Sequence, residues 1–435
     1  MRVLQEEPSP HFVIGEDGWV FLGDHYWNDF SQAIGAWPIP DDLVEATAVT
    51  VAAMHAYCAR RGIVFVPLFV PAKAAVYPDK LPIGTRSDGP RLRDALIVGC
   101  ARKGLAVLDL LPPLVEARKI ADGFSKLNSH WNSFGGWVVW KAINAHILDH
   151  AGRPLTDPAP KHCRVTCELE PPEFPEWPRN EHNRESRITE ADFPFGDSDL
   201  IFVNAAGERS GSPPSAQVSL EDFPLDVHNR AAANAAKCLV MGDSMASNLS
   251  PWINAAFSQV HYRNHHLTNT MAAAVLSDHV DTLAPNFVFY VIADRYCTVA
   301  FHEEDFWRAV DLFDGHQWTA EYRWRSDDPD NLIVVSGREA LGTPNLVSLP
   351  AASNAGGVVL KATVVADGQG LVMSSYSLDG TPVQKWHKIG PGRNAIYVLM
   401  DRPVDNGHFW LVRDPEKAGA VLVDIVVRQV PSLKS

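Results

Sequence analysis

Residues 239–245 read LVMGDSM and residues 125–132 read SKLNSHWN. Ser244 stands where a buried apolar strand, CLVM, gives way to a helix, the edge at which open α/β sheets present side chains to ligands. A hydroxyl there is a candidate nucleophile, and the N–H groups opening the next helix are candidate oxyanion donors. Gly242 permits the tight turn into the serine, and Asp243 is suited to cap it. A plain strand–turn–helix junction carries the same GDS string, so the string alone does not establish catalysis. A serine nucleophile needs a base near pH 7, and neutral imidazole fits that task. His130 is the candidate base.

An imidazole base needs a partner on its other nitrogen to fix its tautomer. Two residues before His130 stands Asn128, not an aspartate. An amide oxygen can accept the ring N–H but brings no charge, and the aspartate-to-asparagine change in a serine protease lowers turnover by about 10⁴. Three arrangements stay open: a slower Ser–His–Asn triad, a Ser–His dyad with an acid from elsewhere, or a site that only binds. Asp122, Asp243 and Asp294 are the acids considered as replacements, though spacing favours none of them.

Further residues fall near the same sheet edge. Lys73 and Tyr77 follow the first buried strand and are expected to line the cleft. Arg295 could bind a substrate oxygen or pair with Asp294. Asn264 follows the strand FSQVHY and could supply a side-chain oxyanion donor. His265 and His266 beside it read more readily as a solvated pair. His162, Cys163 and Cys167 approach metal-ligand spacing, but CRVTC has no second ligand pair at structural-zinc spacing, so no metal is expected.

These side chains need elements to hold them. Residues 42–60 carry apolar positions at helical spacing and stop at Gly62. IVFVPLFV (63–70) reads as a strand buried on both faces. A helix near 90–103, a short strand LAVLDL (105–110) and a helix at 134–150 follow. KCLVMGDS (237–244), FSQVHY (257–262) and NFVFYVIAD (286–294) are three more strands, the last followed by a helix near 303–313. The alternation predicts an α/β domain over 1–320, a mostly parallel, flavodoxin-like sheet flanked by helices. Residues 151–235, rich in proline and charge (EPPEFPEWPRNEHNRES), interrupt it as a loop-rich insertion with a few short strands. From 326 to 435 helical periodicity stops. Six or more short strands separated by turn signals such as DG and NG predict an antiparallel β-sandwich. In that region Tyr376, Trp386, Trp410, Arg402 and Arg413 are candidates for sugar stacking and hydrogen bonding.

The chain has 435 residues, 46% hydrophobic and 21% charged, with a formal net charge of −14. That balance argues against nucleic acid and anionic membrane surfaces, which call for basic footprints. Six scattered cysteines fit free thiols better than a disulfide framework. No apolar leader and no membrane-length apolar run is visible, so the expectation is a soluble, cytoplasmic chain with no direct membrane insertion. No phosphate-cradling or dinucleotide-binding Gly-rich motif occurs, and no cofactor is expected.

Five stretches stand in order: GEDGWVFLGDHYW (15–27), VPAKAAVYPDKLP (70–82), LNSHWNSFGGWVVWKAI (127–143), LVMGDSMASNLSPWINAAFSQV (239–260) and PNFVFYVIADRY (285–296). Together they resemble the SGNH-hydrolase-like domain of the alginate O-acetyltransferase family, over roughly residues 11–300. The resemblance implies a serine nucleophile within GDS and a histidine base from an Asp-x-His-Trp segment, which fall on Ser244 and His130. It places the chain's Asn128 where the family has aspartate. It further implies transfer of acetyl groups, through an acetyl-serine, to sugar hydroxyls of an exopolysaccharide, with an acetyl donor that a partner acyltransferase could deliver. It also implies a C-terminal carbohydrate-binding sandwich and a periplasmic setting. The alternatives from other classes are an acetyl esterase and a catalytically weakened glycan-binding protein.

Overall fold

The computed structural model describes residues 10–298, apart from 87, 151, 153–154, 179–183, 189–199, 213–216 and 265–271. Beyond these it describes 320–325, 333–334, 347–348, 358–368, 370–378, 381–389, 391–400, 408–413 and 420–429. The chain divides into two compact units, Met1–Phe313 and Asp314–Ser435.

In the first unit a small hairpin, β1 (Phe12–Ile14) with β2 (Val20–Leu22), precedes helices α1 (Asp29–Ile34) and α2 (Asp41–Ala59). The chain enters the main sheet at β3 (Val64–Val70), after Gly62 has turned it out of α2 with a left-handed φ of 69°. A positive φ of this kind is open to glycine at little steric cost. Helices α3 (Lys73–Val76), α4 (Leu92–Arg102), α5 (Leu111–Ala117) and α6 (Ser133–His150) follow. After them come β4 (Val165–Leu169) and β5 (Arg184–Ile188), which pair as a separate ribbon, then β6 (Leu200–Val203), β7 (Arg209–Ser212) and β8 (Leu225–Asn229). The unit continues with β9 (Asn234–Gly242), α7 (Ser250–Ala256), β10 (Phe257–Asn264), α8 (Ala272–Leu283) and β11 (Phe287–Ala293).

The seven-stranded sheet has the order β3-β11-β9-β10-β8-β6-β7. Its first four strands are mutually parallel, whereas β8, β6 and β7 join by antiparallel pairing. The sheet is therefore mixed, not mostly parallel as the alternation implied. The strands of residues 200–229 extend it; the sequence pointed to a few short strands in this insertion but not to their pairing with the main sheet. Every side chain of β11 is buried, as in a strand covered on both faces, whereas β8 alternates buried and half-buried positions, the signature of a strand covered on one. The expected strand at 105–110 is absent as well. Leu105 and Leu110 are buried, but Asp109 pairs with Arg93 and caps the Leu111 N–H at 2.9 Å, which turns the chain into α5 before a strand can form. The expected helix near 303–313 lies outside the described residues.

In the second unit all described strand pairs are antiparallel, in two sheets. One holds β12 (Ala320–Arg325), β13 (Ile333–Val334), β15 (Val358–Ala366), β18 (Gly392–Met400) and β20 (Ala420–Gln429); the other holds β14 (Val347–Ser348), β16 (Gly370–Leu378), β17 (Thr381–Ile389) and β19 (His408–Arg413). Among the described residues no helix is long and apolar enough to cross a membrane.

Candidate active site

Ser244 opens a 3-10 turn (Ser244–Leu249) at the carboxyl end of β9. The turn is pinned by Asp243, which is fully buried: its Oδ1 accepts the Met245 N–H at 2.8 Å and its Oδ2 the Ala293 N–H at 2.6 Å. Asp243 thus ties the serine's turn to the end of the neighbouring strand β11 and is a scaffold, not a substrate ligand. Gly242 serves packing, since a Cβ there would lie 3.0 Å from the Ala246 Cβ.

His130 arrives on the loop between α5 and α6. Its Nε2 lies 2.7 Å from Ser244 Oγ across 114 positions of sequence. On the far side of the ring, Nδ1 meets two acceptors, Asn128 Oδ1 at 3.1 Å and Glu173 Oε1 at 3.3 Å. Two acceptors on Nδ1 require that it carry the proton, which leaves the Nε2 lone pair facing the serine hydroxyl. The Asn128 amide is fixed in sense. Its Oδ1 also accepts the His130 backbone N–H at 2.9 Å, and its Nδ2 donates to Glu170 Oε1 at 2.7 Å. The amide nitrogen is therefore turned away from the imidazole.

Glu173 is held as firmly. Ser129 donates its N–H to Oε2 at 2.6 Å and its hydroxyl to Oε1 at 2.9 Å. Burial alone would raise the Glu173 carboxyl, but the hydrogen bond and charge of His130, with the two bonds from Ser129, hold it down at about 2. Asp122, Asp243 and Asp294, the acids considered from sequence, do not reach the imidazole. Asp122 offers its carbonyl to Asn132, and Asp294 receives the Ala72 N–H at 3.2 Å. Glu173 and Glu170 escaped sequence reasoning because they sit in the proline-rich insertion, more than 40 residues from the histidine loop, and no periodicity places an insertion against an active site.

Beneath the loop lie Lys73 and Tyr77, both buried, so they prop the histidine rather than line the cleft. Lys73 Nζ donates to the carbonyls of Ser125, Lys126 and Asn128 at 3.2, 3.0 and 2.8 Å, and the Tyr77 hydroxyl accepts the N–H groups of Gly123 and Phe124 at 2.9 and 3.3 Å. The rings of Trp19, Phe21 and Trp177 surround Lys73 Nζ at 5.4–5.7 Å. Burial pulls its pKa down to about 7, against the attraction of Glu173 and Glu170. Arg295 likewise belongs to the scaffold: it pairs in the interior with Asp29 at 3.3 Å and lies 4.6 Å from the Tyr296 ring centre. Asn264 ends β10 in register with Gly242, at the nucleophile's edge of the sheet. His265 and His266 lie outside the described residues, as does Arg402. Tyr376, Trp386, Trp410 and Arg413 occupy strands β16, β17 and β19 of the second unit, with Trp386 in register with Met373 and Trp410 with Ser375. The described cysteines are free, and no group of three or more potential ligands gathers around a metal site among the described residues.

The glycine pair in SHWNSFGGW joins the two halves of the site. A Cβ on Gly135 would fall 2.4 Å from the Gly123 carbonyl oxygen, and one on Gly136 would fall 2.1 Å from that of Asn248. Helix α6 can therefore start against both the histidine loop and the serine turn only because these positions lack side chains. Gly136→Ala must displace the Asn248 backbone and with it the turn that carries Ser244. We expect a loss of about 10²-fold in the reactivity of Ser244 towards an activated-ester probe, the scale of a 1 Å misplacement, with the far-ultraviolet circular dichroism unchanged.

Residues 12–171 match the family model described as SGNH hydrolase-like domain, acetyltransferase AlgX. Over 150 residues the chain is 28% identical to a probable alginate O-acetylase AlgJ of Pseudomonas aeruginosa, covering 34% of this chain and 35% of that protein. A second AlgJ of the same description, from Pseudomonas syringae pv. tomato, is 27% identical over 152 residues, covering 34% and 36%. The chain thus spans about a third of the length of these relatives. Among solved structures, Bacillus cereus PatB1 shares the fold at 14% identity with a TM-score of 0.51, over 68% of this chain and 99% of that one.

Proposed function

We propose that this chain, which carries an SGNH hydrolase-like domain of the alginate O-acetyltransferase family, moves acetyl groups onto sugar hydroxyls of a polysaccharide through an acetyl-Ser244 intermediate. One observation carries the reading: the 2.7 Å contact between His130 Nε2 and Ser244 Oγ at the carboxyl edge of the parallel strands, with Nδ1 occupied by acceptors.

In the first half-reaction Ser244 Oγ attacks the acetyl carbonyl carbon of the donor while His130 Nε2 takes the hydroxyl proton. The tetrahedral oxyanion is met by the Ser244 backbone N–H and the Asn264 side chain, and His130 returns the proton to the departing group. In the second half, a sugar hydroxyl gives its proton to His130 and attacks the acetyl-serine. The ester bond to Oγ breaks, and Ser244 is reprotonated. The two sheets of the second unit form a glycan-binding sandwich in this reading, with Tyr376, Trp386, Trp410, Arg402 and Arg413 as sugar contacts. Acceptor capture there raises the local concentration of glycan.

An aryl acetate supplied with and without a neutral or uronate oligosaccharide tests the proposal. The expected result is a single acetyl adduct on Ser244 by mass spectrometry and acetylated oligosaccharide in the product. Hydrolysis alone, indifferent to acceptor, identifies an esterase instead. An adduct that persists in Ser244→Ala overturns the nucleophile assignment.

A further inference from the structure

We propose that Glu173, delivered by the insertion, supplies the negative charge that stabilises the His130 imidazolium, while Asn128 supplies only the geometry of the lost aspartate. The proposal rests on the acetyl-Ser244 reading for its catalytic meaning, but its geometry stands apart from it.

When Ser244 gives up its proton the ring becomes cationic, and a neutral amide at Nδ1 cannot offset that charge. Asn128 does fix the tautomer, because its own orientation is locked between the His130 N–H and Glu170. Charge must come from a second group, and Glu173 Oε1 is 3.3 Å from the same nitrogen. Its side chain is 16% exposed, so solvent screens the pair weakly. Both oxygens are oriented by Ser129, the residue adjoining the histidine, so the carboxylate moves with the ring it serves.

The placement is built into the sequence EPPE at 170–173. Two prolines between the glutamates restrict the backbone and hold the carboxylates at a set separation. The Glu173 N–H donates to the Leu127 carbonyl at 2.9 Å, which fastens this segment to the histidine loop. Glu170 then stands behind Asn128 and accepts its amide proton at 2.7 Å, which polarises the amide oxygen toward the imidazole. Buried Lys73 lies under the loop and offsets the two carboxylates. Among the described residues, the ionisable groups around the ring are Glu173 and Glu170 from the insertion and Lys73 from α3, with Tyr26 raised by the field of Glu176 and Glu173 after its own burial.

The experiment compares wild type, Glu173→Gln, Asn128→Asp and the double variant on the full chain. The first readout is the His130 titration followed by nuclear magnetic resonance with labelled histidine. The midpoint is expected to fall by about one unit or more in Glu173→Gln, because a nearby anion favours the protonated ring. It should recover in the double variant, where the aspartate introduced in place of Asn128 restores a carboxylate beside the ring. The second readout is single-turnover acetylation of Ser244. Glu173→Gln should slow it by about 10³-fold, below the roughly 10⁴ seen when a triad aspartate is neutralised, and the double variant should return to within tenfold of wild type. A glutamate that only holds the loop in place would give no rescue of the acetylation rate in the double variant. A His130 midpoint that does not move in Glu173→Gln overturns the proposal, whether or not the protein acetylates. Absence of any acetyl-Ser244 in wild type, with the titration shift present, overturns the acetyl-transfer reading alone.

Discussion

His130→Ala is expected to lower steady-state turnover of an aryl acetate by about five to six orders of magnitude, and Ser244→Ala/His130→Ala to be no slower than either single variant. The non-additivity is the informative part. The serine hydroxyl is a poor nucleophile without a base, and the imidazole has nothing to deprotonate without the serine, so the two residues act as one unit. Their 2.7 Å contact is the physical basis for that expectation. Stability should fall modestly, because the buried Glu173 carboxylate loses a partner, while the loop itself is not held by the imidazole. Its backbone hangs on Lys73, Tyr77 and Asn132, the last accepting the Gly135 N–H at 3.0 Å at the start of α6. Steady-state release of the aryl alcohol from an aryl acetate, alongside thermal unfolding, measures both halves. Additive losses in the double variant would show that serine and histidine act separately.

The serine–histidine pairing was legible in the sequence because each residue sits in a local pattern with a directional meaning. A buried run ending on GDS aims a serine at the carboxyl edge of a sheet, and helix α6 begins just after the histidine loop. The acid was not legible. Asn128 marked where it should have stood, and the three aspartates considered in its place all serve backbone N–H groups or neighbours elsewhere. Glu173 comes from a segment whose prolines and charges read as a solvated loop, and only tertiary contact reveals that it docks beside the imidazole. The antiparallel extension of the sheet was hidden for a related reason. Strands such as β8 are five residues long and interleaved with turns, so their pairing partners are set by long-range packing more than by local propensity. The roles of Lys73 and Tyr77 were mistaken in a common way. Position beyond a strand end locates a residue near a cleft but does not say whether its side chain points into the cleft or under it.

Lys73→Met carries the largest expected effect on stability. The substitution keeps an unbranched apolar stem among Trp19, Phe21 and Trp177 but removes the donor that three carbonyls share. Each acceptor left bare in the interior costs about 1–3 kcal/mol, so with partial relaxation the loss should be about 3 kcal/mol or more. Lys73→Arg should not restore it, since a planar fork cannot point along the three directions an ammonium serves. The loss has a pH sign. Burial depresses the Lys73 pKa from 10.5 to about 7, so between these values the unfolded chain binds the proton that the folded chain sheds. Wild-type stability from this group therefore rises as pH climbs from about 7 towards 10.5. Lys73→Met lacks that slope, and the difference between the two urea midpoints should change steadily across the window. Activity should fall with stability, because the released Asn128 carbonyl frees the backbone that aims His130. Equal midpoint slopes in the two proteins would show that Lys73 titrates in the folded state as it does in water, and that its three carbonyl contacts fully offset the cost of burying the cation.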